Sequence, residues 1–249
     1  MAARGNLEGI FDSIQGEGPL VGCRQVFLRF GGCNLSCSYC DSLQARHPTA
    51  TCGVETKPAT GRYEYVPNPL SIEDIMSNVR MLWLPGHHSV SITGGEPLVQ
   101  AGFLRSLLPE LISDGHKIYL ETNSTLPGEL PGIIEHVEYV AADIKLSSCS
   151  GEADRFEDNR EFLRLLDVPH VFVKFVVTVS ADVDEFLRGV EVVKSAGRDK
   201  AVVVIQPVTG SRGEVETGPG SLLELQRKAL EIYPDVRVIP QVHQPLSLA

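Results

Sequence analysis

Cys33-Asn34-Leu35-Ser36-Cys37-Ser38-Tyr39-Cys40 is the stretch on which the reading of the whole chain turns. It holds three of the six cysteines within eight residues, while Cys23, Cys52 and Cys149 are scattered. A disulfide framework spreads its pairs along a chain, whereas a tight group in a reducing compartment points to ligation of a metal or cluster. Structural zinc prefers four ligands, usually as two separated pairs, and no second pair is present. Three thiolates on one short loop can hold a 4Fe-4S cubane and leave its fourth iron open. A three-cysteine zinc site completed by a distant histidine, or chance clustering, are the competing readings of the same residues.

Outward from this loop, short β-branched runs alternate with amphipathic stretches. The expected strands are Val26–Phe30, Ser89–Ile92, Lys117–Glu121, Tyr139–Lys145, Val171–Thr178 and Ala201–Gln206. They are short, apolar and bounded by Gly, Pro or Asp, as buried parallel strands are. Apolar stripes at helical spacing lie between them: Phe103, Leu104, Leu107, Leu108, Leu111 and Ile112; Val183, Phe186, Leu187, Val190 and Val193; Leu222, Leu225, Ala229 and Ile232. Ser71 and Asp74 form a capping-box opening for a helix from Ile72, and Gly115 and Gly197 suit helix ends. Strand-helix repetition predicts an α/β fold with a parallel sheet. About six strands are too few for a closed eight-fold barrel, so a partial barrel or open sheet is expected, with ligands at the carboxyl ends of the strands. The segment 43–70 breaks the pattern with Pro48, Pro58, Pro67, Pro69, Gly53 and Gly61. It reads as a long loop or insertion: a lid, a dimer contact or a disordered stretch. The whole of 1–249 reads as one domain.

With 32 acidic against 22 basic residues and a net charge of -10, the chain is poorly suited to sequence-independent nucleic-acid binding, so a small-molecule substrate is expected. No stretch approaches the ~20 apolar residues of a membrane span. No secretory signal is evident at the start, which makes the cytoplasm the expected compartment.

The polar motifs fall just after strand ends. Thr93-Gly94-Gly95-Glu96-Pro97 follows one strand; Glu121-Thr122-Asn123, Asp143-Ile144-Lys145 with Ser147, and Gln206-Pro207 follow others. Glycines there let backbone approach a ligand, and a carboxylate can accept from an ammonium group. Each could also be a loop cap or a buried network residue. Near the N-terminus lies Phe11-Asp12-Ser13-Ile14-Gln15-Gly16-Glu17-Gly18, which alone could be an ordered turn; near the other end lies Pro240-Gln241-Val242-His243.

The CxxxCxxC loop with Tyr39 before its last cysteine resembles the signature of the radical S-adenosylmethionine superfamily, and Gly94-Gly95-Glu96-Pro97 resembles that superfamily's GGEP motif. The Ile14–Gly18 opening and the Pro240–His243 ending are similar to those of the 7-carboxy-7-deazaguanine synthases, so the resemblance runs from Ile10 to His243. It implies a 4Fe-4S cluster on Cys33, Cys37 and Cys40, with S-adenosylmethionine on the open iron as radical source. The hard chemistry then belongs to the cofactor, and no side chain is assigned a catalytic role. Gly94, Gly95, Glu96, Glu121, Asn123, Asp143, Lys145, Ser147, Gln206 and Pro207 are implied cofactor contacts. The implied substrate is 6-carboxy-5,6,7,8-tetrahydropterin, converted to 7-carboxy-7-deazaguanine with loss of ammonia in the queuosine pathway. Ile14, Gln15, Gly16, Glu17, Thr93 and His243 are its implied contacts, and Arg29 pairs with its carboxylate unless it serves a structural ion pair. Mg²⁺ is implied at the hydroxyl of Ser42, where many members carry Thr; Ser42 could instead cap the next turn. An electron donor such as flavodoxin or ferredoxin and a homodimer complete the implied picture. A glycyl-radical activase on the same scaffold, or a non-catalytic iron-sulfur or zinc module, are the alternatives.

Overall fold

The computed structural model describes residues 3–210, 214–246 and 248. The chain begins with β1 (Arg4–Gly5), β2 (Leu7–Ile14) and β3 (Arg24–Phe30). After the cysteine loop come β4 (Thr51–Glu55), β5 (Tyr63–Pro67) and β6 (Leu70–Ser71). Strand and helix then alternate: α1 (Ile72–Leu82), β7 (Ser89–Gly94), α2 (Ala101–Ser113), β8 (Ile118–Thr122), β9 (Tyr139–Asp143), α3 (Ser147–Ser150) and α4 (Phe156–Leu165). The series ends with β10 (His170–Val177), α5 (Val183–Ser195), β11 (Val202–Pro207), α6 (Pro219–Leu230) and β12 (Val236–Val238).

One sheet of ten strands carries the order β12-β11-β10-β9-β8-β7-β3-β2-β4-β5. From β12 to β3 every pairing is parallel; β2 then runs antiparallel to β3. The parallel part forms the expected partial barrel. Period-two alternation divides its two faces. Val26, Leu28, Phe30, Val90, Ile92, Ile118, Leu120, Val140, Val173 and Phe175 belong to the main core, which the helices cover. Tyr119, Tyr139, Ala141 and Phe172 form a smaller cluster on the other face. Gln25, Ser89, Ser91, Glu121 and Lys174 share that inner face by strand parity, and a charged floor is thereby built into the barrel.

All six expected strands form, with ends shifted by a residue or two. The structure adds β2, β12 and α4, which the sequence reading did not single out. In α2, Phe103, Leu104, Leu107, Leu108 and Leu111 are buried, each worth about 1.5–3 kcal/mol of removed apolar surface. Ile112 departs from the expected stripe and is 42% exposed, because it sits past the edge of the buried face in the last turn. The Ser71 cap is present: its Oγ accepts from Asp74 N at 3.2 Å, and Asp74 Oδ2 accepts from Ser71 N at 3.1 Å.

The segment 43–70 differs most from expectation. It is no irregular loop: β4 pairs parallel to β2 and antiparallel to β5, extending the sheet. Glu55, 1% exposed, accepts the backbone amides of Asp12, Thr60 and Gly61 and so fastens the hairpin turn to β2. Cys52 is wholly buried in this hairpin, and burial pushes its thiol up to about 12, which suits a packing residue. No helix among the described residues is long and apolar enough to cross a membrane.

Candidate active site

The carboxyl ends of the parallel strands open into one cavity, and the three clustered thiols are on its wall. Cys33, Cys37 and Cys40 all line it, whereas Cys23, Cys52 and Cys149 do not. Burial raises the Cys33 and Cys37 thiols, and the charge of the neighbouring cysteines adds to the rise. A cationic group is what would ionise such a set, so the residues fit a cluster held by three thiolates. Lys145 sits close behind, with Nζ 2.8 Å from Asp143 Oδ2 and 5.7 Å from the centre of the Tyr39 ring. Burial opposes its charge, but Asp143 and the cavity's other acidic groups hold its ammonium well above the ordinary lysine range.

The glycines of the Thr93–Pro97 motif are there for backbone approach. Gly94 has φ 132°, and a Cβ there would strike the backbone of Phe30. A Cβ on Gly95 would meet the carbonyl oxygens of Gly32 and Ala45 on the cysteine-loop side. Glu96 does not line the cavity. It is fully buried and accepts from Leu98 N at 3.0 Å, Thr122 Oγ1 at 2.9 Å and Asn123 N at 2.7 Å. Burial raises its carboxyl to about 7 against those donors. Glu96 thus braces the end of β8, and Asn123 in turn donates to Asn34 Oδ1 of the cysteine loop at 2.8 Å. Ser147 and Pro207 also lie outside the cavity wall; the Ser147 amide donates to Glu185 Oε1 at 2.7 Å. Asn123, Asp143, Lys145 and Gln206 do line it. The Gln206 Oε1 is buried without a partner among the described residues, an orphan acceptor that suits a ligand amino group.

The cavity is also lined by Ile14, Gln15, Gly16, Glu17, Arg29 and Thr93. Arg29 forms no ion pair among the described residues; its guanidinium lies over the Phe11 ring, 4.8 Å from the centroid. Its fork is therefore free for a carboxylate. Glu121, an expected cofactor contact, lines the same cavity and is bonded to Gln15 and Thr93. Its Oε1 accepts from Gln15 Nε2 at 2.8 Å and its Oε2 from Thr93 Oγ1 at 2.7 Å. Burial, with Glu17 and Asp143 nearby, raises the Glu121 carboxyl, while Lys174 and Thr93 oppose the rise.

Lys174 is the charged cavity residue that the sequence reading did not single out. It is 3% exposed, lies in the middle of β10, ion-pairs with Glu17 and sits 3.3 Å from Asp143 Oδ1. Burial works against ionised Glu17, but Lys174, Gln241 and His243 together hold its carboxyl at about 2. The signal was present: a single lysine inside the apolar run Val171–Val177.

The Pro240–His243 segment closes the mouth. Val242 N donates to Gly16 O at 3.0 Å, and a Cβ on Gly16 would collide with the His243 ring. Gln241 Nε2 donates to Glu17 Oε1 at 2.7 Å and to Asp41 Oδ2 at 2.8 Å. Ser42 lines the cavity and donates to Asp41 Oδ1 at 3.2 Å. Glu17, Asp41 and His243 bring one ligand atom each within 4.8 Å of one another.

A barrel of parallel strands with three cavity thiols and glycine-opened strand ends defines a class, and comparison with known families agrees. The radical SAM superfamily matches residues 28–214, and the chain belongs to it. The chain is 40% identical to the 7-carboxy-7-deazaguanine synthase of Geobacter sulfurreducens, over 96% of this chain and 95% of that one. It is 36% identical to the synthase of Archaeoglobus fulgidus, over 98% and 99%. Within the superfamily it is thus a member of the 7-carboxy-7-deazaguanine synthase family. The crystal structure of QueE from Escherichia coli has the same fold, with a TM-score of 0.64 at 20% identity over 96% of this chain and 95% of that one.

Proposed function

We propose that this chain converts 6-carboxy-5,6,7,8-tetrahydropterin to 7-carboxy-7-deazaguanine with loss of ammonia. The observation that carries the substrate assignment is the free Arg29 fork in the same cavity as the three thiols, with the Thr93–Glu121–Gln15 cluster beside it. Arg29 binds the substrate carboxylate in two parallel hydrogen bonds. Glu121 accepts from the N–H groups of the aminopyrimidine ring. Ile14, Gly16 and Thr93 shape the wall against which the ring lies, and His243 with the closing segment excludes water.

Cys33, Cys37 and Cys40 hold the cluster, and Gly94, Gly95, Asn123, Asp143, Lys145 and Gln206 surround S-adenosylmethionine. When bound, the cluster and S-adenosylmethionine supply the one-electron chemistry that starts the reaction. Mg²⁺ belongs beside Ser42, where hard oxygen donors on Asp41 and Glu17 and the His243 imidazole converge. A homodimer, a flavodoxin or ferredoxin as reductant and a cytoplasmic location complete the reading and rest on the family resemblance.

The test is anaerobic turnover of reconstituted, reduced protein with S-adenosylmethionine, Mg²⁺ and the pterin, read by mass spectrometry, with Cys37→Ala as control. The expected result is 7-carboxy-7-deazaguanine from the wild type alone. Deoxyadenosine without that product would overturn the substrate assignment.

A further inference from the structure

Beneath the proposed pterin wall, a column of buried polar side chains runs down the inner face of the barrel. Gln25 on β3 and Ser89 on β7 are fully shielded, and Gln15 is 2% exposed. Gln25 Nε2 donates to Ser89 Oγ at 2.8 Å, and Gln25 Oε1 accepts from Gln15 Nε2 at 3.2 Å. The same Gln15 nitrogen donates its other hydrogen to Glu121 Oε1 at 2.8 Å. Gln15 Oε1 accepts from the Glu17 amide at 3.0 Å. Its backbone is also committed, N–H to Cys23 O at 2.7 Å and C=O from Gly22 N at 2.8 Å. A carboxamide has two N–H donors, so Gln15 has none left for a ligand. Its Oε1 accepts only from Glu17 and keeps a second lone pair, so Gln15, which lines the cavity, can serve as a strut for Glu121 as well as a contact.

A buried amide column gains little net stability over apolar packing, and each unsatisfied member is costly. What it supplies is geometry. Gln25 fixes the rotation of the Gln15 amide, which then has one hydrogen aimed at Glu121. We infer that Gln25 is a positioning residue for pterin recognition, acting through Gln15 to hold the Glu121 carboxylate as an acceptor for the aminopyrimidine N–H groups. The inference rests on the substrate reading given above. Ser89 sets Gln25 in the same way, one step further from the ligand.

The test uses the full chain with its cluster reconstituted and left unreduced, so that no turnover occurs. Titration calorimetry gives Kd for the pterin, with S-adenosylmethionine present, and separately for S-adenosylmethionine. Gln25→Met keeps the length and removes both hydrogen bonds. Pterin binding should weaken about tenfold to a hundredfold, the cost of misaligning a charge-assisted hydrogen bond, with S-adenosylmethionine Kd within about twofold. In turnover, KM for the pterin should rise more than kcat falls. Ser89→Ala should weaken pterin binding by a few-fold, and the double variant should bind no worse than Gln25→Met alone. A folded Gln25→Met with wild-type pterin affinity overturns the inference, as does equal weakening of both ligands, which is general loosening. Should Gln25→Met not fold, Ser89→Ala decides, and an unchanged pterin Kd overturns it. Wild-type protein that binds S-adenosylmethionine but no pterin overturns the substrate reading, and the inference with it.

Discussion

Replacing Lys174 by methionine removes the positive charge at the centre of the cavity floor and leaves Glu17, Glu121 and Asp143 facing one another. The lysine side chain is 4% exposed, so solvent screens it little. At the 3.3 Å separation from Asp143, an effective dielectric of ~20 gives about 5 kcal/mol for one pair. Breaking a buried pair by deleting one partner costs about 3–5 kcal/mol by a separate route. A loss of about 4 kcal/mol lowers the melting temperature of a chain this size by roughly 8–16 °C. The pH dependence identifies the cause. Glu121 is already raised by burial, and without Lys174 it rises further. A carboxyl whose folded pKa is raised destabilises while ionised, so the deficit is fullest above that pKa and shrinks as pH falls through it. Denaturant melts of wild type and variant at about pH 7 and about pH 5 read this directly, with Glu17→Gln in the variant background expected to recover part of the loss. A deficit below about 1 kcal/mol, or one identical at both pH values, would refute the electrostatic account.

Arg29→Lys keeps the charge but loses the planar fork, and KM for the pterin should rise about ten- to a hundredfold with a smaller change in kcat, measured by steady-state kinetics. Asp12 is 8% exposed and, against the effect of burial, is held below the ordinary aspartate range by Arg24 and His87. Its stabilisation is therefore present above the ordinary aspartate pKa and fades as pH falls through the lowered one; Asp12→Asn should cost about 2–3 kcal/mol near neutrality and flatten the acid limb of a stability–pH curve. Ser71→Ala removes the α1 cap and should cost about 1 kcal/mol in urea melts without altering pterin KM.

The parallel core was legible because its strands are buried on both sides and read as apolar runs. β2 was not, because Leu7–Ile14 mixes Glu8, Asp12 and Ser13 into its pattern, although it lies inside the sheet between β3 and β4. The β4–β5 hairpin was hidden for a related reason: β5 exposes Tyr63, Glu64 and Tyr65 and has no apolar alternation to show. In the site, the cysteines, the glycines and the strand ends were readable from spacing. Which way a polar side chain turns was not. Glu96 points into the protein to cap β8, Glu121 bonds to Gln15 and Thr93, and Gln15 spends its amide donors on neighbours, all decided by tertiary hydrogen bonds. Lys174 was visible as a charge in an apolar strand, but its ion-pair partner Glu17 lies 157 residues away in the chain.

That separation governs the order in which the protein can be assembled. The bond from Gln241 to Glu17 spans 224 residues, and everything between them is the barrel itself. Closing so long a loop carries an entropic cost that the docked segment recovers only once both of its landing points are ordered. The docking of residues 240–243 is therefore expected to follow completion of the sheet, which hydrogen exchange during refolding would read as late protection of Val242 N–H. A bulky inorganic cluster thus has a natural window for delivery, between completion of the sheet and the docking of residues 240–243.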